Sequence, residues 1–426
     1  MKQWKNPPRS EWPALTQRPS FELDYLESTV RNIMNRVKKA GDAALIEFAL
    51  QFDKATVTSV QVTAEEIQQS SKQLSDDLKK SIEVAARNIR TFHEKQRRTV
   101  EVIETMPGVQ CWRKGIAIDR VGIYIPGGTA PLFSTVLMLG IPAALAGCAE
   151  IILCSPPGAN GQIHPAIVYA ASMAGITKMY KCGGAQAIAA MAYGTQSVPA
   201  VNKIFGPGNQ FVTKAKQLVN QDGIAIDLPA GPSEVLVIAD AAANPSFVAA
   251  DLLSQAEHGK DSQVVLVATS EKLVAYVQAE ISKQLVSLPR KAIAEECLAN
   301  SMAITFDKRE ELLAFVNDYA PEHLIINTTD AEDLTASVRN AGSVFIGGWS
   351  PEAAGDYASG TNHTLPTNGF AKSHGGVSLE SFMKYITFQK LTREGLQNLG
   401  PHVARMAEAE ELTAHQRAIE IRLHNQ

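Results

Sequence analysis

From Val121 onward the chain alternates short β-rich runs with segments of helix length, and this alternation constrains the fold more than any other feature. The runs VGIYI, EIILC, KMYKC and NKIF are separated by stretches such as Pro131 to Gly147 and His164 to Ala174. Such alternation predicts right-handed βαβ units around a parallel sheet. After the loop DLPAGPSE, Asp227 to Glu234, the pattern restarts with VLVIAD, QVVLVA, AITF, HLIIN and SVFIG, which is enough for a second sheet. A chain of 426 residues, 45% of them hydrophobic, can bury more than one core. Single cores usually stop growing beyond roughly 250 to 300 residues, so two main domains are expected.

From Phe21 to about Gln96 the pattern is helical. Val30, Ile33, Met34 and Val37 recur at helical spacing, Gly41 breaks the run, and Thr63 with Glu66 makes a capping box. From about Val377 the sequence returns to a helical, charge-mixed pattern with no strand signal, and a small separate helical unit is expected there. Glycine and proline concentrate in IPGGTAP, FGPGN, PAGPS and GGWSPEAAGDYASG, read as loops just after strands, where open α/β sheets place their ligands.

A net charge of -4 and a pI near 6.2 give no broad basic surface, which argues against nucleic acid and anionic membranes and for a small-molecule substrate. The apolar stretches fall short of about 20 uninterrupted residues, and the N-terminal MKQWKNPPRSEWP has no secretory core, so a soluble intracellular protein is expected. Cys111, Cys148, Cys154, Cys182 and Cys297 form no CxxC, which indicates neither a disulfide framework nor a thiolate zinc site and suits the cytoplasm.

Several residues can carry chemistry. Asn244 and Pro245 read as the cap and first position of a helix that places Gln255 and His258 three residues apart on one face. An imidazole and an amide oxygen converging with carboxylates suit zinc. The same QxxH spacing also suits a solvated helix end. Glu322 and His323, in APEHLII, stand side by side at the mouth of a strand, after a proline that discourages helix at Ala320. They offer two proton-transfer groups, or an exposed polar pair capping a strand. Asp356, His363, Glu410 and His415 add carboxylates and imidazoles distant in sequence. His93, His164, His402 and His424 sit in ordinary contexts, and His374 is undecided. No GxGxxG follows any strand, leaving Tyr124 in YIPGG, Gln186 in GGAQAIAA and Asn209 in FGPGN beside glycines that let backbone approach a cofactor. Cys154 ends an apolar strand with no His or Asp near it in sequence, which favours a core role over a nucleophile.

VGIYIPGG, GGAQAIAA, FGPGN, PAGPSEV, SQAEHG, PEHL, AGDYASGTNH and LTAH follow in the order found in histidinol dehydrogenases. The chain resembles that family over nearly its whole length, Met1 to Ser20 being loosely matched, and no motif position departs from the family pattern. The resemblance implies two Rossmann-like parallel-sheet domains in an aldehyde-dehydrogenase-like arrangement, with small helical N- and C-terminal units. The expected plan is an extension at 1–21, a discontinuous α/β domain of 22–122 with 235–376 carrying zinc and catalytic residues, an NAD-side domain at 123–234, and a helical unit at 377–426.

By the same resemblance Gln255, His258, Asp356 and His415 bind one zinc per subunit, and Glu322 and His323 are catalytic. Ser233, Gln255, His258, His323, Asp356, His363, Glu410 and His415 contact substrate, while Tyr124, Gln186 and Asn209 contact NAD. Glu410 and His415 complete the neighbouring subunit's site in a homodimer. The implied reaction is the oxidation of L-histidinol to L-histidine through a bound aldehyde with two NAD, the closing steps of histidine biosynthesis. Rival readings are a paralogue oxidising another small alcohol such as a sulfonated diol, a zinc hydrolase, and a non-catalytic zinc scaffold. Glu410 discriminates the first of these, because an anionic substrate would want Arg or Lys in place of a carboxylate.

Overall fold

The structure is a computed structural model that describes residues 1–18, 24–127, 131–228 and 231–424. Gly128 to Ala130 of the first glycine-rich motif, and Pro229 with Ala230 of PAGPS, lie outside the described residues. Two parallel sheets form the body. The first has six strands in the order Lys2–Lys5, Met302–Thr305, Gln263–Ala268, Glu234–Ala239, His323–Asn327 and Ser343–Ile346. The second has five, in the order Lys178–Lys181, Glu150–Ser155, Arg120–Tyr124, Lys203–Phe205 and Ala225–Ile226. Every residue of Glu234–Ala239 and Gln263–Ala268 is buried, as continuous apolar strands covered on both faces must be. The α/β class and both sheets are therefore as the alternation predicts.

The grouping of elements differs from expectation in three places. The helices Glu27–Ala40, Asp42–Phe52 and Asp76–Glu94 pack on the five-stranded sheet, not with 235–376. Val30, Met34 and Leu45 share a core with Tyr124 and Ile188, while Ile82 and Ile89 share one with Ile123 and Leu139. The six-stranded sheet has no open face for them. One side is covered by Pro245–Ala256, Glu271–Leu285 and Lys291–Ala299, the other by Arg309–Tyr319 and the N-terminal Trp12.

The N-terminal segment is likewise not an appendage. Lys2–Lys5 forms the edge strand beside Met302–Thr305, and Trp12 meets Phe315 edge-on at 5.4 Å. At the other end, Met383–Leu391 is a nine-residue strand, antiparallel to Val109–Ala117, which also pairs with Val102–Met106. The expected all-helical unit thus begins with a strand. None of its residues is fully buried, so it lacks the apolar run that would have revealed it. Helices Arg393–Ala409 and Thr413–His424 follow, and the last has no buried residue.

Local signals hold where the physics is local. Gly41 ends the Glu27–Ala40 helix at φ 57°, and Thr63 with Glu66 forms the reciprocal capping box. Asn244 caps Pro245–Ala256 by accepting from the Ser246 N–H at 3.0 Å.

Candidate active site

A cavity of about 160 Å³ lies between the sheets. The five-stranded half presents the C-terminal ends of its strands there, through Gly206, Pro207, Asp227 and the start of the helix Phe133–Ala146. The six-stranded half presents the opposite ends: Ser233 precedes the strand Glu234–Ala239, and Glu322 precedes the strand His323–Asn327. The expectation that site loops follow their strands is met on one side of the cavity and reversed on the other.

Gln255 lies in the last turn of the helix Pro245–Ala256, which runs antiparallel to its strands and so brings its C-terminus to this end. His258 lies just past the helix, held in a turn by its N–H to the Gln255 carbonyl at 3.2 Å, and is not on the helix itself. The negative end of that helix faces the cavity and favours a cation. Ser233, Gln255, His258, Glu322, His323, Asp356 and His363 all line the same cavity.

The acid–base centre is built from backbone outward. The helix Arg309–Tyr319 ends at Ala320 in the left-handed conformation, φ 53°, which turns the chain through Pro321 into Glu322. The proline excludes helix there as expected, though the residue before it takes the left-handed rather than the extended region. Glu322 is buried, and its Oε2 accepts from the Glu234 N–H at 2.9 Å. Burial pushes its carboxyl up to about 8, against the opposing pull of His323. His323 shares Nδ1 with the Glu234 carbonyl at 3.2 Å, which turns Nε2 toward Asp356 Oδ1 at 3.3 Å. Burial acts to lower the imidazole pKa, but Glu352, Glu322 and Asp356 together outweigh it and raise it well above the usual range. Asp356 is held below its ordinary value, burial being outweighed mainly by His323. A Nδ1–H donated to the Glu234 carbonyl leaves Nε2 as the proton acceptor on the cavity side whenever the ring is neutral.

His363 ties the two halves together, with Nε2 bonded to Thr135 Oγ1 at 2.9 Å and Nδ1 to the Asp356 carbonyl at 2.7 Å. Burial lowers its pKa.

Glu352 was not singled out from the sequence. It is 1% exposed and neither of its carboxylate oxygens has a hydrogen-bond partner among the described residues. Burial pushes its carboxyl up to about 8. One ligand atom from each of His258, Glu352 and Asp356 lies within 4.8 Å of the others. The only signal was the E-x-x-x-D spacing in SPEAAGDY, which puts Glu352 and Asp356 on one face of the short helix Glu352–Tyr357. Both amide atoms of Gln255 are buried as well, and neither has a hydrogen-bond partner among the described residues. An orphaned buried polar group costs on the order of 1–3 kcal/mol. A divalent cation would satisfy these groups, and their nitrogen and oxygen donors suit zinc.

Glu410, in the turn after the helix Arg393–Ala409, and His415, in the helix Thr413–His424, are exposed and do not line this cavity within the chain. Tyr124, Gln186 and Asn209 gather at the C-terminal side of the five-stranded sheet. Tyr124 is buried with its hydroxyl accepting from the Gly184 N–H at 3.1 Å, Gln186 is buried, and Asn209 caps Gln210–Gln221 by accepting from the Phe211 N–H at 3.1 Å. Gly206, at φ 123°, brings its Cα so near the strand that a Cβ would sit 2.0 Å from the Tyr124 carbonyl oxygen. A neighbouring cavity of about 420 Å³ shares Gly206, Pro207, Lys216 and Leu228 with the first, giving room for an elongated ligand beside the acid–base centre. Cys154 is fully buried and its thiol is pushed well above its ordinary pKa by burial, in keeping with a core role.

Fold and cavity define a two-sheet α/β enzyme with an imidazole–carboxylate centre and a cation-ready cluster where its halves meet. A family profile described as histidinol dehydrogenase matches residues 16–423. Histidinol dehydrogenase of Bacteroides thetaiotaomicron is 56% identical over 424 residues, covering 100% of this chain and 99% of that protein. The Escherichia coli K12 enzyme is 49% identical, with 99% and 97% covered. The crystal structure of histidinol dehydrogenase from Elizabethkingia anophelis superposes with a TM-score of 0.97 at 54% identity, covering 99% of this chain and 98% of that one. The chain belongs to the histidinol dehydrogenase family, and it is an oxidoreductase.

Proposed function

We propose that the cavity between the sheets is where this chain oxidises L-histidinol to L-histidine with NAD, through a bound L-histidinaldehyde. The observation that carries the assignment of roles is the convergence of Glu322, His323, Gln255, His258 and Asp356 on one cavity in a chain of this family. His323 Nε2 takes the hydroxyl proton in each oxidation. Glu322, the second buried acid–base group, takes a proton from water as it adds to the aldehyde, so that the second oxidation starts from the hydrate. NAD bound near Tyr124, Gln186 and Asn209 supplies the hydride acceptor for both oxidations. Ser233 and His363 line the cavity where the substrate's polar groups are to be held.

Gln255, His258 and Asp356 would hold one zinc per subunit together with His415 of a neighbouring copy, and zinc there supplies Lewis acidity at the alcohol oxygen. The orphaned Gln255 amide and the His258, Glu352 and Asp356 cluster support this reading. A homodimer with shared sites is supported by the C-terminal unit, where Met406 and Ile421 are 66% and 58% exposed on helices that bury little of their own surface. Glu410 arriving from the neighbour would pair with the substrate ammonium. The cytoplasm is the proposed compartment; no helix among the described residues is long and apolar enough to cross a membrane. The Bacteroides and Escherichia coli relatives are named for histidinol, which favours it over a sulfonated diol.

The test is NADH stoichiometry with zinc-loaded protein and a limiting, known amount of L-histidinol. Two NADH per histidinol are expected. One NADH with aldehyde released would remove the role given to Glu322, and none would overturn the substrate.

A further inference from the structure

Arg18 has no role in the reading above, yet it is among the most engaged side chains of the six-stranded half. Its residue is 9% exposed, and its guanidinium lies over the Tyr319 ring at 3.5 Å from the centroid. Nε donates to Glu234 Oε2 at 2.6 Å, Nη2 to the Tyr319 carbonyl at 2.6 Å, and Nη1 to the Thr16 carbonyl at 2.8 Å. A planar fork with several fixed donors makes these contacts at once, which a single ammonium cannot do.

Both ends of this network lead to the acid–base pair. Tyr319 and Ala320 form the left-handed turn that feeds through Pro321 into Glu322 and His323. On the other side, the backbone of Glu234 binds the pair directly: its N–H donates to Glu322 Oε2 at 2.9 Å, and its carbonyl shares a hydrogen with His323 Nδ1 at 3.2 Å. The Glu234 carboxylate, besides meeting Arg18, accepts from the Asn368 N–H and so also anchors the loop that closes the cavity at Thr367. One guanidinium therefore fixes the backbone that carries the two groups and the backbone that orients their side chains.

We propose that Arg18 is a positioning residue, a clamp from the N-terminal segment that sets Glu322 and His323 for proton transfer; the inference rests on the roles given to that pair. It touches neither substrate nor the reacting atoms and acts through the backbone it holds. Gln255, His258 and Asp356 touch none of its direct contacts, so zinc content should not depend on it.

The test compares Arg18→Lys, Arg18→Met and the double variant Arg18→Met/Glu234→Gln, in which no buried charge is left unpaired. In the double variant and in Arg18→Lys, kcat for L-histidinol should fall by about 10²-fold, the scale of an ångström-sized misplacement, while KM stays within about threefold and zinc content is unchanged. Hydrogen exchange of the ligand-free protein should quicken at the amides of 234 and 322–323. A folded double variant with kcat within about twofold of wild type, or with unchanged exchange at those amides, overturns the clamp. If the wild-type protein makes no NADH from L-histidinol, the functional reading falls, and the exchange measurement still decides whether Arg18 holds the pair.

Discussion

The roles of Glu322 and His323 separate in one substitution, Glu322→Gln. The amide oxygen can still accept the Glu234 N–H that Oε2 accepts at 2.9 Å, and the side chain keeps its volume in a position only 5% exposed, so the fold should survive. What is lost is the ability to take a proton from water. If only the aldehyde-to-acid half needs that proton transfer, its rate should fall by about 10² to 10⁴, or roughly 3 to 5 kcal/mol of barrier, the usual contribution of a positioned base. The alcohol–aldehyde half, which relies on His323, should change by less than about threefold. L-histidinaldehyde reports both halves: with NAD it is oxidised to L-histidine, and with NADH it is reduced to L-histidinol. The NAD reaction should collapse in the variant while the NADH reaction persists. Equal losses in both directions, or none in either, would refute the division of labour.

Complete removal of divalent metal should abolish NADH formation from L-histidinol, and zinc should restore it; unchanged turnover after chelation refutes the metal assignment. Glu352→Gln should weaken zinc by about 10- to 100-fold in a competition titration, because it removes a carboxylate beside His258 and Asp356. In the metal-free protein the same change should raise the melting temperature at pH 8. The Glu352 carboxyl is pushed up to about 8 by burial, so between about 4.5 and 8 the folded protein holds a proton that the unfolded chain does not; the stability this contributes is fully present below about 4.5 and is lost as the pH rises through 8. A lower melting temperature at pH 8, or undiminished zinc affinity, would remove Glu352 from the metal site. Finally, His258→Ala and His415→Ala chains should each be inactive alone. Refolded together they should recover about a quarter of wild-type activity, since random mixing makes half the dimers mixed and each has one intact site. No recovery on mixing would place His415 in its own subunit's site or in none.

The sequence disclosed what local physics dictates. Alternating strand and helix runs gave both parallel sheets, Gly41 and Thr63 gave a stop and a cap, and Asn244–Pro245 gave the start of the helix whose last turn holds Gln255. It failed where partners are chosen by the space left over. The stripe of Val30, Met34 and Val37 says that Glu27–Ala40 buries a face, but not against which sheet, and only the occupied faces of the six-stranded sheet decide it. Met383–Leu391 was invisible because a half-exposed strand beside Val109–Ala117 needs no apolar run.

The site divides along the same line. Glu322 and His323 were legible because adjacent residues stay adjacent, whereas Glu352 looked like one more acid on a short helix. Its signal lies in burial, since a carboxyl with neither oxygen bonded among the described residues is costly, and a cation would satisfy it. Arg18 was harder still, because its partners Glu234 and Tyr319 stand hundreds of positions away and nothing in an N-terminal QRP string announces them. Glu410 and His415 are the reverse case. Their motif speaks clearly, but the chain alone leaves both exposed, and the proposed dimer is what would give them a site. A site shared as proposed would couple activity to association: dilution that separates the subunits should then silence the enzyme before it unfolds either sheet, and activity that is independent of dilution down to separated subunits would refute the sharing.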